Sequence, residues 1–120
     1  MGGGFFQPTV LVGGDEALFR HEETFGPVCP VFTFDTEEDA IARANDSEFG
    51  LAAFLFTQDV DRAMRVGRAI EAGMVGLNTG LISNPANPFG GVKQSGYGRE
   101  GSAYGLDDYL QVKSLTLALR

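Results

Sequence analysis

The chain has 120 residues, 43% of them hydrophobic, enough apolar material for one ordinary domain and too much for a disordered segment. Its net charge of −7 repels a polyanion, and the basic residues Arg62, Arg65, Arg68, Lys93, Arg99, Lys113 and Arg120 are scattered, so no nucleic acid is expected as a partner. No apolar run reaches the ~18 residues of a membrane span, the start lacks signal-peptide and myristoylation patterns, and the single cysteine forbids an internal disulfide; the expectation is a cytoplasmic protein with no membrane contact.

Residues 1–12 read as a short turn and a strand, with Pro8 limiting pairing on one side. Residues 13–30 are rich in Gly, Pro and acidic residues and read as irregular. Val31 to Phe34 is expected as a short apolar strand. Thr36 then caps a helix that ends near Asn45-Asp46, with Asp39 completing a near capping box. Ile41 and Ala44 are expected on its buried side. The acidic run Asp35–Asp39 is the solvated start of this helix, not a binding tail. Asn45-Asp46-Ser47 matches a glycosylation sequon, a chance match in a chain without a secretory signal.

Gly50 punctuates the chain, and Leu51 to Thr57 is an apolar run of strand length. Asp59 caps the next helix. Val60, Ala63, Met64, Gly67 and Ile70 form its apolar stripe, and Gly73 is expected to end it. Met74 to Asn78 is a third apolar strand. Strands apolar on both faces, alternating with helices of about three turns, predict an α/β fold with a parallel sheet. The segment Thr79 to Arg99 holds five Gly and two Pro; a loop of that length is usually functional. A short helix around Glu100 to Tyr109 precedes a terminal strand, Gln111 to Leu119. Both faces of that strand carry apolar side chains, so it is fit to pair with a neighbour's sheet edge.

Gly96-Tyr97-Gly98-Arg99-Glu100-Gly101 spells G-x-G-x-x-G. The dinucleotide fingerprint also needs a hydrophobic strand before it and an acid about 20 residues on. Gly90 to Ser95 is no strand, no suitable acid follows, and no Gly-Lys-Ser/Thr makes a P-loop, so these glycines read as permitting turns and close backbone approach. Cys29, between Val28 and Pro30, has no basic neighbour and reads as a buried, inert thiol. His21 reads as a surface histidine beside Glu22 and Glu23. No metal site is expected, since no Cys/His cluster has ligand spacing, and nothing groups His21 with a serine. Glu22-Glu23-Thr24-Phe25-Gly26-Pro27 admits two readings. One is a solvated acidic loop with a core phenylalanine. The other is a site in which a carboxylate accepts two hydroxyls of a diol while the ring packs on a planar group.

Three segments in this order carry a resemblance: Gly3-Gly4-Phe5-Phe6-Gln7-Pro8-Thr9-Val10, Glu22 to Val28, and Asn87 to Glu100. Together they resemble the C-terminal part of an NAD(P)-dependent aldehyde dehydrogenase, over essentially the whole chain. The resemblance implies an α/β fold, with residues 1–108 as part of the catalytic domain and its return loop. Residues 109–120 would be an oligomerisation strand, and the family's cofactor domain is absent from this chain. It implies NAD or NADP as cofactor, bound by Glu23 on the nicotinamide ribose and by Phe25 near the nicotinamide ring. It implies Phe89 as lining the substrate tunnel and Glu100 as a proton-relay acid. Asn78-Thr79-Gly80-Leu81-Ile82-Ser83 is most similar to succinate-semialdehyde dehydrogenases, where Ser83 would meet the far carboxylate of the aldehyde substrate. The family's nucleophilic cysteine, in a Gly-Gln-x-Cys segment, is absent here. Without it no thiohemiacetal can form, so the chain alone is expected to be an inactive fragment of a homo-oligomeric enzyme. Two alternatives are a non-catalytic module docking through its terminal strand and, more weakly, an anion-binding domain built on the Gly90–Gly101 loop.

Overall fold

The computed structural model describes residues 3–119. Met1, Gly2 and Arg120, on which part of the N-terminal reading and one of the scattered basic residues fall, lie outside them. The first strand, β1 (Thr9–Val12), is followed by a helix, α1 (Glu16–His21), in the stretch expected to be irregular. The signal was present: Asp15 accepts a hydrogen bond from the Ala17 amide at 3.1 Å, Glu16 sits in the first turn, and Arg20 and His21 in the last. That charge order suits the helix dipole, and His21 is exposed as expected.

The next strand, β2 (Val28–Val31), starts three residues before the expected Val31–Phe34 and pairs in parallel with β1, Thr9 opposite Val28 and Val12 opposite Val31. It takes in Pro30, which a pair with one open edge tolerates. Cys29 is exposed on it, not buried as its apolar neighbours suggested.

Thr36 caps α2 (Glu37–Asn45) through the Asp39 amide at 3.1 Å, as its sequence predicts. Ile41 is half-buried, but Ala44 is exposed. Of the run expected over Leu51–Thr57, Ala52–Leu55 is strand (β4), and Gly50, expected to punctuate the chain, ends a short strand before it, β3 (Phe49–Gly50). Asp59 caps α3 (Val60–Ala69), accepting from the Arg62 amide at 3.1 Å. The helix ends at Ala69 and not at Gly73, because Ile70 already turns to extended backbone (φ −73°, ψ 128°). Val66 is the buried residue of α3, whereas Val60 and Met64 of the expected stripe are exposed. β5 (Met74–Leu77) pairs in parallel with β4, Ala52 opposite Met74 and Leu55 opposite Leu77. β6 (Val92–Lys93) pairs antiparallel with β3.

The α/β character and the parallel pairing are as expected, but the strands form three two-stranded pairs and not one continuous sheet. The long loop is also ordered by main-chain bonds: the Phe89 and Glu100 amides each donate to the other's carbonyl, at 2.9 and 2.7 Å. The expected helix after Glu100 is a 3-10 turn, Tyr104–Tyr109. The expected terminal strand forms no pairing among the described residues, and Val112, Leu115, Leu117 and Leu119 stand exposed. Only Val66 and Met74 are buried large apolar side chains among the described residues. The surface of 9806 Å² far exceeds the about 6,300 Å² that a compact monomer of this mass presents.

Ion pairs tie the helices together. Arg20 of α1 meets Asp46, and Arg43 of α2 meets Glu16. Glu37 receives Arg65 Nε at 2.6 Å and Arg62 Nε at 3.0 Å. The hydrogen bond from Arg65 above all, with that from Arg62, holds the Glu37 carboxyl below its ordinary value. A lowered folded-state value stabilises the fold above the ordinary carboxylate range, and this contribution disappears as pH falls through the lowered value. Glu37→Gln should therefore lower the urea midpoint modestly at pH 7, as partly exposed pairs do. The gap from wild type should close in acid, which urea titrations at neutral and acid pH would read.

Candidate functional site

Two hollows adjoin one another near the β3–β6 pair, with Leu51 and Ser95 lining both. The first, about 460 Å³, is lined by Phe89, Glu100, Ser95, Tyr97, Asp108 and Leu51 among others. The Phe89–Glu100 bridge positions both of its candidate residues, so a side chain read as substrate-lining and one read as a relay acid open on one space. Arg99 holds the loop around it: its guanidinium donates to the Gly91 and Gly98 carbonyls at 2.8 and 2.7 Å. Its amide donates to Asp108 Oδ2 at 3.0 Å. Position 98 favours glycine through its φ of +85°, and a Cβ there would also push the Asp108 carboxylate off the Arg99 amide.

This geometry removes the G-x-G-x-x-G segment from consideration as a phosphate cradle. The segment makes no strand-to-helix turn, Arg99 Nη1 is committed to two carbonyls, and the Glu100 and Asp108 carboxylates line the hollow against the single cation of Arg99. The same facts weigh against an anion-binding loop.

The second hollow, about 510 Å³, is lined by Glu23, Ala44, Ser47, Phe49, Gln94 and Ser95 among others, and shares Leu51 and Ser95 with the first. The carboxylate residue Glu23, the amide residue Gln94 and the two hydroxyl residues Ser47 and Ser95 line this space, with no cation among the lining residues. That donor and acceptor set fits a neutral diol such as a ribose and not a phosphate. Phe25, two residues on, is 93% exposed, so it is not the core phenylalanine of the first of the two readings, and its ring is free to lie against a planar group. The residues present thus fit the nicotinamide-ribose end of a dinucleotide.

Ser83 is not brought to either hollow. It is exposed, and its neighbour Ile82 lines a different cleft with Asn87 and Pro88. Sequence reasoning assigned no role to Gln94, Ser95 or Asp108. Asp108 carried no signal, since nothing in its spacing shows that it returns to the Arg99 amide. Gln94 and Ser95 could be found only through the pairing of β6 with β3. That pairing is fixed by contacts far apart in the chain, such as the Gly50 amide on Ser95 Oγ at 2.9 Å.

Fold and hollows together define an α/β segment with two adjoining hollows. Residues 1–115 match the aldehyde dehydrogenase family, and the chain belongs to that family. It is 56% identical over 119 residues to the NADP(+) succinate-semialdehyde dehydrogenase of Escherichia coli K12, covering 98% of this chain and 25% of that protein. It is 55% identical over 118 residues to the glutarate-semialdehyde dehydrogenase of Pseudomonas aeruginosa, covering 98% of this chain and 24% of that one. The crystal structure of an aldehyde dehydrogenase from Brucella melitensis biovar abortus superposes with a TM-score of 0.87 at 60% identity, over 92% of this chain and 23% of that one. The chain therefore spans about a quarter of the length of the relatives it matches. Among the described residues, no helix is long and apolar enough to cross a membrane.

Proposed function

We propose that this chain is the C-terminal part of an NAD(P)-dependent aldehyde dehydrogenase acting on a semialdehyde with a distant carboxylate, succinic semialdehyde first. It supplies one wall of the active site. Glu23 accepts the ribose hydroxyls and Phe25 packs by the nicotinamide. Phe89 shapes the aldehyde tunnel, Glu100 carries a proton, and Ser83 donates to the far carboxylate. The bound cofactor would supply the hydride acceptor. The observation that carries the reading is the adjacency of the two hollows. The diol-fitting carboxylate of Glu23 and the Phe89–Glu100 pair open on spaces that share Leu51 and Ser95. A cofactor and a substrate need that adjacency.

The nucleophilic thiol lies outside this wall. Cys29 is exposed on β2 and lines neither hollow. The exposed segment 110–119 is read as the part that pairs with the sheet edge of another subunit, giving a homo-oligomer.

The test is a replacement. The E. coli relative with its matching region exchanged for this chain should reduce NADP with succinic semialdehyde, within about tenfold of its own kcat/KM. The 120-residue chain alone should reduce none. A replaced enzyme that folds and binds NADP but oxidises neither succinic nor glutaric semialdehyde would overturn the reading.

A further inference from the structure

We propose that Lys93 is a positioning residue: its ammonium fixes the strip between the two hollows, so that Gln94 and Ser95 face Glu23 and Ser95 also faces Phe89 and Glu100. Lys93 lies in neither hollow, and its catalytic consequence rests on the functional reading above, although its structural role does not.

Three acceptors surround the Lys93 ammonium. Nζ donates to the Asn45 carbonyl at 2.7 Å and to the Ser47 carbonyl at 3.1 Å, and pairs with Glu71 Oε2 at 2.7 Å. An ammonium has three N–H groups, so its capacity is filled. Asn45 is the last residue of α2, and Glu71 follows the end of α3. The Asn45 carbonyl, which also accepts from the Ser47 amide at 2.8 Å, lies at the C-terminal end of α2, where a cation is favoured by the helix dipole. The acceptors are themselves fixed. Asn45 Nδ2 donates to the Ala69 carbonyl and its Oδ1 accepts from the Glu71 amide, both at 2.8 Å. Lys93 thus binds a frame in which the ends of both helices are already joined.

The frame determines where the strip sits. Lys93 is opposite Phe49 in the β3–β6 pair, and the next amide, Gln94, donates to the Glu48 carbonyl at 2.9 Å. Ser95 Oγ accepts from the Gly50 amide at 2.9 Å. Lys93 holds this register with φ +56°, a conformation uncommon for a residue with a Cβ. Such a backbone persists only where its surroundings over-determine it. Here those surroundings are two turn bonds, from the Ser95 amide to the Val92 carbonyl at 3.2 Å and from the Gly96 amide to the Lys93 carbonyl at 3.3 Å, together with the tethered ammonium.

Amide hydrogen exchange on the full chain tests the proposal. Lys93→Met should accelerate exchange at Gly50 and Gln94 by about tenfold or more, the scale of losing a hydrogen-bonded charge. The Asn78 amide, bonded to the Leu55 carbonyl at 2.8 Å, should be unchanged. Lys93→Arg should recover most of the protection. Lys93→Gly, which relaxes φ but removes the ammonium, should behave like Lys93→Met. Wild-type levels of protection in Lys93→Met or Lys93→Gly, or no protection of Gly50 and Gln94 in the wild type, would overturn the proposal.

In the replaced E. coli enzyme, Lys93→Met should raise the KM for NADP by about tenfold, with kcat changed far less. Faster exchange with an unaltered KM would refute the positioning claim. A wild-type replacement that is inactive refutes the functional reading instead, and leaves the exchange result standing.

Discussion

Gly73→Ala should unfold the centre of this protein, at a cost of about 3 kcal/mol or more, the upper end of what overpacking a filled site does. A Cβ at Gly73 would lie 1.9 Å from the Gly90 carbonyl oxygen and 2.9 Å from Gly91 Cα. All the opposing atoms named are backbone, so no side chain can swing aside. Moving Gly73 away would break its own bond to the Gly50 carbonyl (3.0 Å) and the next one, Met74 to Leu51 (3.1 Å). Those two bonds seat β5 against β3 and β4. The loop cannot retreat easily either, because a Cβ at Gly90 would itself lie 2.4 Å from the Gly98 carbonyl oxygen. Gly80→Ala is the control. It meets nothing within 4 Å and has no positive φ, so it should change stability by no more than about 0.5 kcal/mol. Urea unfolding of the two variants separates the cases, and equal midpoints would show that Gly73 and Gly90 do not approach as described.

That close approach also marks the boundary of what the sequence revealed. Local chemistry was legible: Thr36 and Asp59 cap their helices where side-chain type predicts, and Met74–Leu77 forms the expected apolar strand. Asp15 is as good a cap as either, yet α1 was hidden because the flanking glycines and carboxylates dominate the composition of residues 13–30. Gly73 was misread for a related reason. A glycine after a helix suggests a C-terminal turn, but its lack of a side chain is used against Gly90, 17 positions away, and distance along the chain leaves no local trace. The expected stripe on α3 failed at Val60 and Met64, which remain exposed beside Phe56 and Leu77. Periodicity reports which face is apolar, not which part of that face this segment covers. Of the candidate residues, Phe89 and Glu100 come together through the main-chain bridge, and Glu23 opens on the adjoining space. Ser83 does not join them. Its role rested on the likeness of Gly80-Leu81-Ile82-Ser83 to a motif, and a carboxylate site needs a wall that these residues alone do not form.

Glu100→Gln and Glu23→Gln should damage the replaced E. coli enzyme in opposite ways. The main chain of Glu100 carries the bridge to Phe89 and its side chain is exposed on the hollow, so the amide should leave the fold intact. It cannot accept and release a proton, and kcat should fall by about 10²-fold, the lower end for a positioned acid or base. The KM values should move little, because nothing in the arrangement asks Glu100 to bind cofactor. Glu23 has the reverse role. Its carboxylate faces a hollow without a cation, where it would accept hydroxyl hydrogen bonds as a charged group. Replacing it with glutamine should remove about 1.5–3 kcal/mol of binding, which raises the KM for NADP by about 10- to 150-fold. If Glu100→Gln keeps full kcat, the proton passes by another route and Glu100 is a lining residue only. If Glu23→Gln lowers kcat with no change in the KM for NADP, the second hollow is not the cofactor side, and the two spaces must be assigned anew.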